Sequence, residues 1–297
     1  MNDIYKQKLN IYIKTFSYLC HMERNYQLLK DVLSVPSKTY KEEQMVQFLI
    51  DWLTENNIDH TVDEHLNVYA TKQTGNLPDG FMFPCVVSHT DTVHNMDSIN
   101  VVEEQLENAQ GEIKLSLKAY NNDGNPTGIG GDDKCGVYAC LELLKELPNL
   151  KAAFFVSEET GCHGSRKADK SFFTNVGYAI QFDAPENWMV TERCWGTTLF
   201  DRRTDFFKQC DKVLTESFPD KLKYFSHPYT DVYALKESFD FSCINISIGY
   251  YDYHTANEYV VVEDVYNGIK VGKKMIESLG YTKHKFKEEK SRFYSPF

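Results

Sequence analysis

The chain has 297 residues, 42% of them hydrophobic, and a formal net charge of −11. That length suits one large α/β domain or two small ones, and the apolar fraction is enough for a sizeable core. The acidic balance argues against a nucleic-acid partner, which requires clustered Lys and Arg.

The N-terminal stretch MNDIYKQKLNIYIKTF lacks the apolar core of a signal peptide, and no segment approaches the roughly 18 apolar residues of a membrane span. A cytoplasmic protein without membrane partners is expected. Eight cysteines (Cys20, Cys85, Cys135, Cys140, Cys162, Cys194, Cys210 and Cys243) form no CxxC pair, so they read as buried, reduced thiols rather than a structural zinc site.

Apolar residues at three- and four-residue spacings predict helices over Asn25–Leu33 and Glu42–Glu55, separated by Val35-Pro36-Ser37. Short strands follow near Thr61 and at Asn67–Ala70, then a buried strand at Phe83–Ser88. Alternating residues from about 96 to 120, with Gly111 between two halves, predict a hairpin excursion. The Gly-rich loop GNPTGIGGDDKCG leads into a helix over Cys135–Leu147, stopped by Pro148. Strands are expected at Ala152–Val156, Gly177–Gln181 and Cys243–Ile248. A closing helix is expected over Val265–Leu279 with Gly280 as its cap, and KHKFKEEKSRFYSPF reads as a surface tail. The alternation predicts an α/β fold, a mostly parallel mixed central sheet with helices on both faces.

Acids and histidines gather where these strands end. Val86-Val87-Ser88 runs into His89-Thr90-Asp91, Phe155-Val156-Ser157 into Glu158-Glu159, and Ile180-Gln181-Phe182 into Asp183. The last strand leads to His254, and the Gly-rich loop delivers Asp132-Asp133 at a helix start. Ligands of open α/β sheets bind beyond the carboxyl ends of strands, so these residues would converge on one crevice. Each group has an ordinary reading alone: a hydrogen-bonded loop pair, a helix cap, a solvated strand end, a turn. Together, two His and several carboxylates suit zinc or a similar divalent ion, and five ligands suit two ions sharing one carboxylate.

The motifs SHTDTVH, GIGGDDKCG, FFVSEETGCHGS, FDAP and YHTANEYV, between Ser88 and Val260, resemble in wording and order the di-zinc exopeptidases of metallopeptidase clan MH. That group includes peptidase T, bacterial zinc aminopeptidases and carboxypeptidase G. The resemblance implies two zinc ions: His89 and Asp183 on one, Glu159 and His254 on the other, and Asp132 bridging. It further implies Asp91 as the acid that orients His89, Glu158 as the general base, and a cis peptide between Asp132 and Asp133. Thr230-Asp231 resembles a Ser/Thr-Asp pair of the aminopeptidase branches.

The intervals between Asp183 and His254 and between His89 and Asp132 are too short for the second domain of many relatives. Residues 1–297 therefore read as one catalytic domain, with no separate lid or dimerisation domain. Substrate contacts would then come from Trp195–Arg203 and Tyr224–Tyr233. Arg193, Arg202 and Arg203 would clamp a substrate carboxylate or simply be surface charges.

The expected activity is aminopeptidase hydrolysis of short peptides, with homo-oligomers left open. The alternatives are an amidohydrolase, deacylase or carboxypeptidase-type enzyme acting on N-acyl amino acids, a non-catalytic metal-binding interaction protein, and a one-zinc cyclase. The presence of Glu158 weighs against the non-catalytic reading, because metal ligands alone would suffice for binding.

Overall fold

Four strands carry the centre of the molecule: β3 (Phe83–His89), β6 (Leu150–Phe155), β7 (Val176–Ala184) and β11 (Ser242–Ser247), each buried at every position. A strand buried throughout is covered on both faces, which is why these segments are continuous apolar runs rather than alternating ones. The computed structural model describes residues 26–95, 99–107 and 111–286.

The main sheet also contains β1 (Asp59–Val62), β2 (Val68–Lys72), β8 (Met189–Cys194), β9 (Thr197–Thr198) and β10 (Lys223–His227). Its order is β1-β2-β6-β3-β7-β11-β8-β10, with β9 on β8. Pairing is parallel through β6-β3-β7-β11 and between β8 and β10, and antiparallel for β1-β2, β2-β6, β11-β8 and β8-β9. The sheet is thus mixed, with its parallel strands at the centre. From β3 the chain crosses to β6 on one side and then to β7 on the other, which puts a topological switch at the carboxyl end of β3.

The expected hairpin is formed by β4 (Asn100–Glu107) and β5 (Ile113–Tyr120), paired from Asn100↔Tyr120 to Glu107↔Ile113. With β13 (Tyr259–Val261) and β12 (Tyr250–Tyr251) they make a second sheet, ordered β12-β13-β5-β4. Residues 96–98 and 108–110 of that excursion lie outside the described residues, as do Asn25, Cys20, the N-terminal stretch and most of the C-terminal tail.

Among the described residues six α-helices accompany the sheets: α1 (26–33), α2 (Glu43–Glu55), α3 (Gly131–Glu146), α4 (Asp205–Ser217), α5 (Asp231–Ser238) and α6 (Val262–Leu279). In α2, Met45, Val46, Leu49, Trp52 and Leu53 form the buried stripe its spacing predicts. Helix α3 is buried from Gly131 to Leu144 and packs on β3, β6 and β7, while α5 packs on β11, β3 and β7. Helix α6 begins at Val262, three residues before the expected start, and ends at Gly280 with φ 66°.

The largest departure from expectation is between β7 and β11. Segments in which no strand or helix was expected contain β8, β9, α4, β10 and α5. Helix α4 is capped by the Thr204 hydroxyl, which accepts from the Phe207 amide, and buries Phe206, Phe207, Cys210, Val213 and Leu214. The seven cysteines among the described residues are all free and buried. Among the same residues no helix is long and apolar enough to cross a membrane.

Candidate metal centre

The parallel strands and α3 deliver the acidic and imidazole groups to one place. His89 is the last residue of β3 and is 1% exposed. Its Nε2 lies 3.1 Å from Asp132 Oδ1, 3.5 Å from Asp183 Oδ1 and 4.0 Å from Glu158 Oε2. The opposite oxygen of Asp132, Oδ2, lies 3.2 Å from His254 Nε2, which is also 2.9 Å from Glu159 Oε2. Asp132 therefore faces two imidazoles with two different oxygens. It stands with Asp133 in non-helical geometry at the start of α3, and the bond between them is cis.

Backbone and side-chain bonds orient these groups. His89 Nδ1 is 2.9 Å from the carbonyl of Asp91. A carbonyl only accepts, so Nδ1 carries the proton and Nε2 turns its lone pair toward the cluster when the ring is neutral. The Asp91 carboxylate is also within 3.4 Å of Nδ1, but its principal bonds go elsewhere. Its oxygens accept from the amides of Glu158, 2.9 Å, and Glu159, 3.3 Å, and from the Thr39 hydroxyl, 2.8 Å. The acid expected to steer His89 thus also holds the Glu158-Glu159 turn in place.

Sequence reading missed two supporting residues. Gln181 Nε2 donates to Asp183 Oδ2 at 3.0 Å, while its Oε1 accepts from the Val232 amide and the Thr230 hydroxyl. Those two donors fix which end of the amide faces Asp183. The signal was present, because Gln181 is two residues before Asp183 on one strand and shares its face. Asp231, beside Thr230, is fully buried, and burial pushes its carboxyl up to about 7. Glu42 Oε1 accepts from both the amide and the hydroxyl of Ser157, each at 3.1 Å. Ser157 sits at φ 55°. For a residue with a Cβ the left-handed region costs roughly 1–2 kcal/mol, which such bonds offset. Nothing local announces Glu42.

The electrostatics show a shortage of positive charge. Burial raises the carboxyls of Glu158, Asp183 and Glu159 above the usual range, and neighbouring acids add to the shift. Burial opposes charging His89, yet Asp132, Asp183 and Asp91 outweigh it and carry the imidazole well above its ordinary value. Hydrogen bonds to Asp132 and Glu159 push His254 up to about 10. Asp132 runs the other way: burial would raise it, but both histidines hold it low. Buried carboxylates in excess of two imidazoles form a donor set that divalent cations of the zinc type fit, through nitrogen and oxygen.

Two trios have ligand atoms within 4.8 Å of one another: His89, Asp133 and Asp183, and His89, Asp132 and Glu159. Asp133 was not in the set read from sequence. Its oxygens accept from the amides of His89, 3.2 Å, and Gly136, 3.1 Å, so it is tied into the framework. His254 lies outside both trios but against two members of the second, with Nε2 3.2 Å from Asp132 and 2.9 Å from Glu159.

The three arginines have local partners. Arg202 pairs with Glu192 at 2.7 Å and Arg203 with Asp201 at 2.8 Å, while Arg193 donates to the Gly196 carbonyl at 3.0 Å.

No protein-family model matches the chain. A probable carboxypeptidase of Aspergillus clavatus is 27% identical over 163 residues, covering 52% of this chain and 38% of that protein, so the chain matches well under half of its relative's length. Among solved structures, the aminopeptidase PepT of Bacillus cereus superposes with a TM-score of 0.68 at 14% identity, over 87% of this chain and 98% of that one. A tripeptidase of Staphylococcus aureus gives 0.62 at 14%, over 86% and 97%. The TET1 peptidase of Pyrococcus horikoshii gives 0.59 at 14%, over 84% and 98%. The chain has the fold of these peptidases.

Proposed function

From that fold, we propose that the protein hydrolyses peptide bonds with two divalent metal ions, zinc by donor chemistry, and acts as an aminopeptidase on short peptides. In this reading His89 and Asp183 hold one ion, Glu159 and His254 the other, and Asp132 both. The observation that carries it is Asp132, whose two oxygens lie 3.1 and 3.2 Å from the Nε2 atoms of two different histidines.

When bound, such cations would lower the pKa of a water and polarise a carbonyl. The chain's own residues do the rest. Glu158 is buried beside His89, and its raised proton affinity suits a group that must take a proton near neutral pH. It accepts the proton of the attacking water and returns it to the leaving amine. Asp91 holds the backbone of Glu158 and Glu159, so the base and its neighbouring ligand keep different directions.

The test is metal analysis with peptide-hydrolysis assays on the wild type and Glu158→Gln. The variant is expected to keep its metal and lose about 10²–10⁴-fold in kcat. Equal turnover would remove Glu158 as the base, whereas a wild type that binds metal and hydrolyses no peptide would favour a metal-binding protein without catalysis.

A carboxypeptidase reading draws support from the Aspergillus relative, a probable carboxypeptidase. Paired free and N-acetylated peptides separate the two, because an aminopeptidase rejects blocked N-termini. The same proposal takes residues 1–297 as one catalytic domain. It places the chain in the cytoplasm, which the free, buried cysteines among its described residues suit. Homo-oligomers belong to it as well, since the P. horikoshii TET1 peptidase can assemble into a tetrahedron or an octahedral shell.

A further inference from the structure

Three segments far apart in the chain carry His89, Asp132 and His254, and they meet on the carboxylate of one residue outside the ligand set. Glu258 is 1% exposed. Its Oε2 accepts from His94 Nε2 at 2.6 Å and from the Gly130 amide at 2.8 Å, and its Oε1 accepts from the Asp132 amide at 3.0 Å. His94 follows His89 by five residues, and Glu258 follows His254 by four.

A second link runs parallel to the first. The Gly128 amide donates to the Ala256 carbonyl at 2.9 Å. Gly128 has φ +72°, and a Cβ there would lie 2.2 Å from His94 Cε1, so the imidazole occupies space that only a glycine leaves free.

We propose that Glu258, itself oriented by His94, is the positioning residue for Asp132, locking the loop of the shared carboxylate to the loops that carry the two histidines. The proposal rests on the reading of Asp132 as the bridging ligand. The chemistry requires a carboxylate: both oxygens accept, and three N–H donors converge on them. A glutamine in the same place has one acceptor oxygen and turns its NH₂ toward a backbone N–H. The Asp132 backbone then loses an anchor, and its two oxygens no longer face both histidines at once.

The test uses apo-protein prepared by chelation. Zn²⁺ is titrated calorimetrically and Co²⁺ is followed by its visible spectrum, in the wild type, Glu258→Gln, His94→Phe and His94→Gln. The wild type is expected to bind two equivalents. Glu258→Gln should bind the second about 10–100-fold more weakly, the range found when groups supporting metal ligands are removed. Its Co²⁺ spectrum should change, and kcat should fall with KM nearly constant.

His94→Phe keeps the ring and the carboxylate but removes one donor, and should move the same readouts in the same direction by less. His94→Gln, whose amide nitrogen can still donate, should restore most of the loss. If Glu258→Gln does not fold, the two His94 variants carry the test. Wild-type affinity and an unchanged Co²⁺ spectrum in folded Glu258→Gln and His94→Phe would overturn the proposal. A wild type that binds no metal would overturn it together with the reading beneath it, and the wild-type titration alone tells these failures apart.

Discussion

His89 and His254 approach the same carboxylate from 3.1 and 3.2 Å, yet they are held in different ways. His89 ends a strand buried at all seven positions, and its other ring nitrogen is fixed on the Asp91 carbonyl. His254 stands in the loop between β12 and β13 at φ 61°, with its side chain 43% exposed and its ring edge-on to Tyr253 at 5.0 Å. One half of the cluster is built by the sheet, where side-chain directions are set by strand register. The other half is built by a loop open to solvent. Rigid elements hold reactive groups more closely than loops do, whereas loops give access.

The sharpest way to break this comparison is to remove each imidazole in turn. His89 is the cation facing Asp132, Asp183 and Glu158 in a dry setting. His89→Ala removes it and leaves those acids crowded, so in the presence of a chelator it should lose about 3–5 kcal/mol of stability. His254→Ala removes a pair that solvent already screens and should cost about 0–1 kcal/mol. Urea denaturation of the metal-free variants measures both. Equal losses would mean that the two halves are not mechanically distinct.

A smaller effect concerns pH. Burial, then Asp132 and Asp231, raises the Asp183 carboxyl above its unfolded value, with His89 opposing. Between the two pKa values the folded protein holds more protons than the unfolded one. This contribution to the metal-free protein's stability is therefore largest at low pH and declines as pH climbs from about 4 toward the folded pKa. Asp183→Asn abolishes the titration and should flatten that decline, while weakening metal binding. Glu159 is less enclosed, and Glu159→Gln should change the slope less. Denaturation curves with parallel pH dependence in wild type and Asp183→Asn would refute the assignment of the dry half.

The same division decided what could be read from the sequence. Strands β3, β6, β7 and β11 were legible because burial on both faces forces unbroken apolar runs, and the polar residues that end them mark where the fold opens. Helix α4 was legible in principle: Thr204 is a capping residue, and Phe206, Phe207, Cys210, Val213 and Leu214 follow at helical spacing. The many aromatic and charged residues around it mask that spacing, and no element was expected there. The second sheet was half legible, because the β4–β5 hairpin is local, whereas β13 joins β5 across more than a hundred residues. The supports were the least legible. Glu42 meets Ser157 at a separation of 115 residues and Glu258 meets Gly130 at 128, and a lone acid names no partner that far away.

The smallest expected effect concerns the arginines read as a carboxylate clamp. Arg202 is already engaged: its Nε lies 2.7 Å from Glu192 Oε1, and its guanidinium stacks 4.4 Å from the Tyr224 ring centre and 5.1 Å from that of Phe207. The pair is partly exposed, at 48% and 24%, so Arg202→Ala should cost about 0–1 kcal/mol, mostly through lost packing of the guanidinium on the two rings. Recruiting Arg202 to a substrate would strand Glu192 and break the stacking, which a single charged hydrogen bond to the substrate offsets poorly. The KM of a free peptide should therefore match that of its C-terminal amide in wild type and Arg202→Ala alike. A KM that rises in Arg202→Ala only for substrates with a free C-terminal carboxylate would place the guanidinium on the substrate and turn the reading from aminopeptidase toward carboxypeptidase.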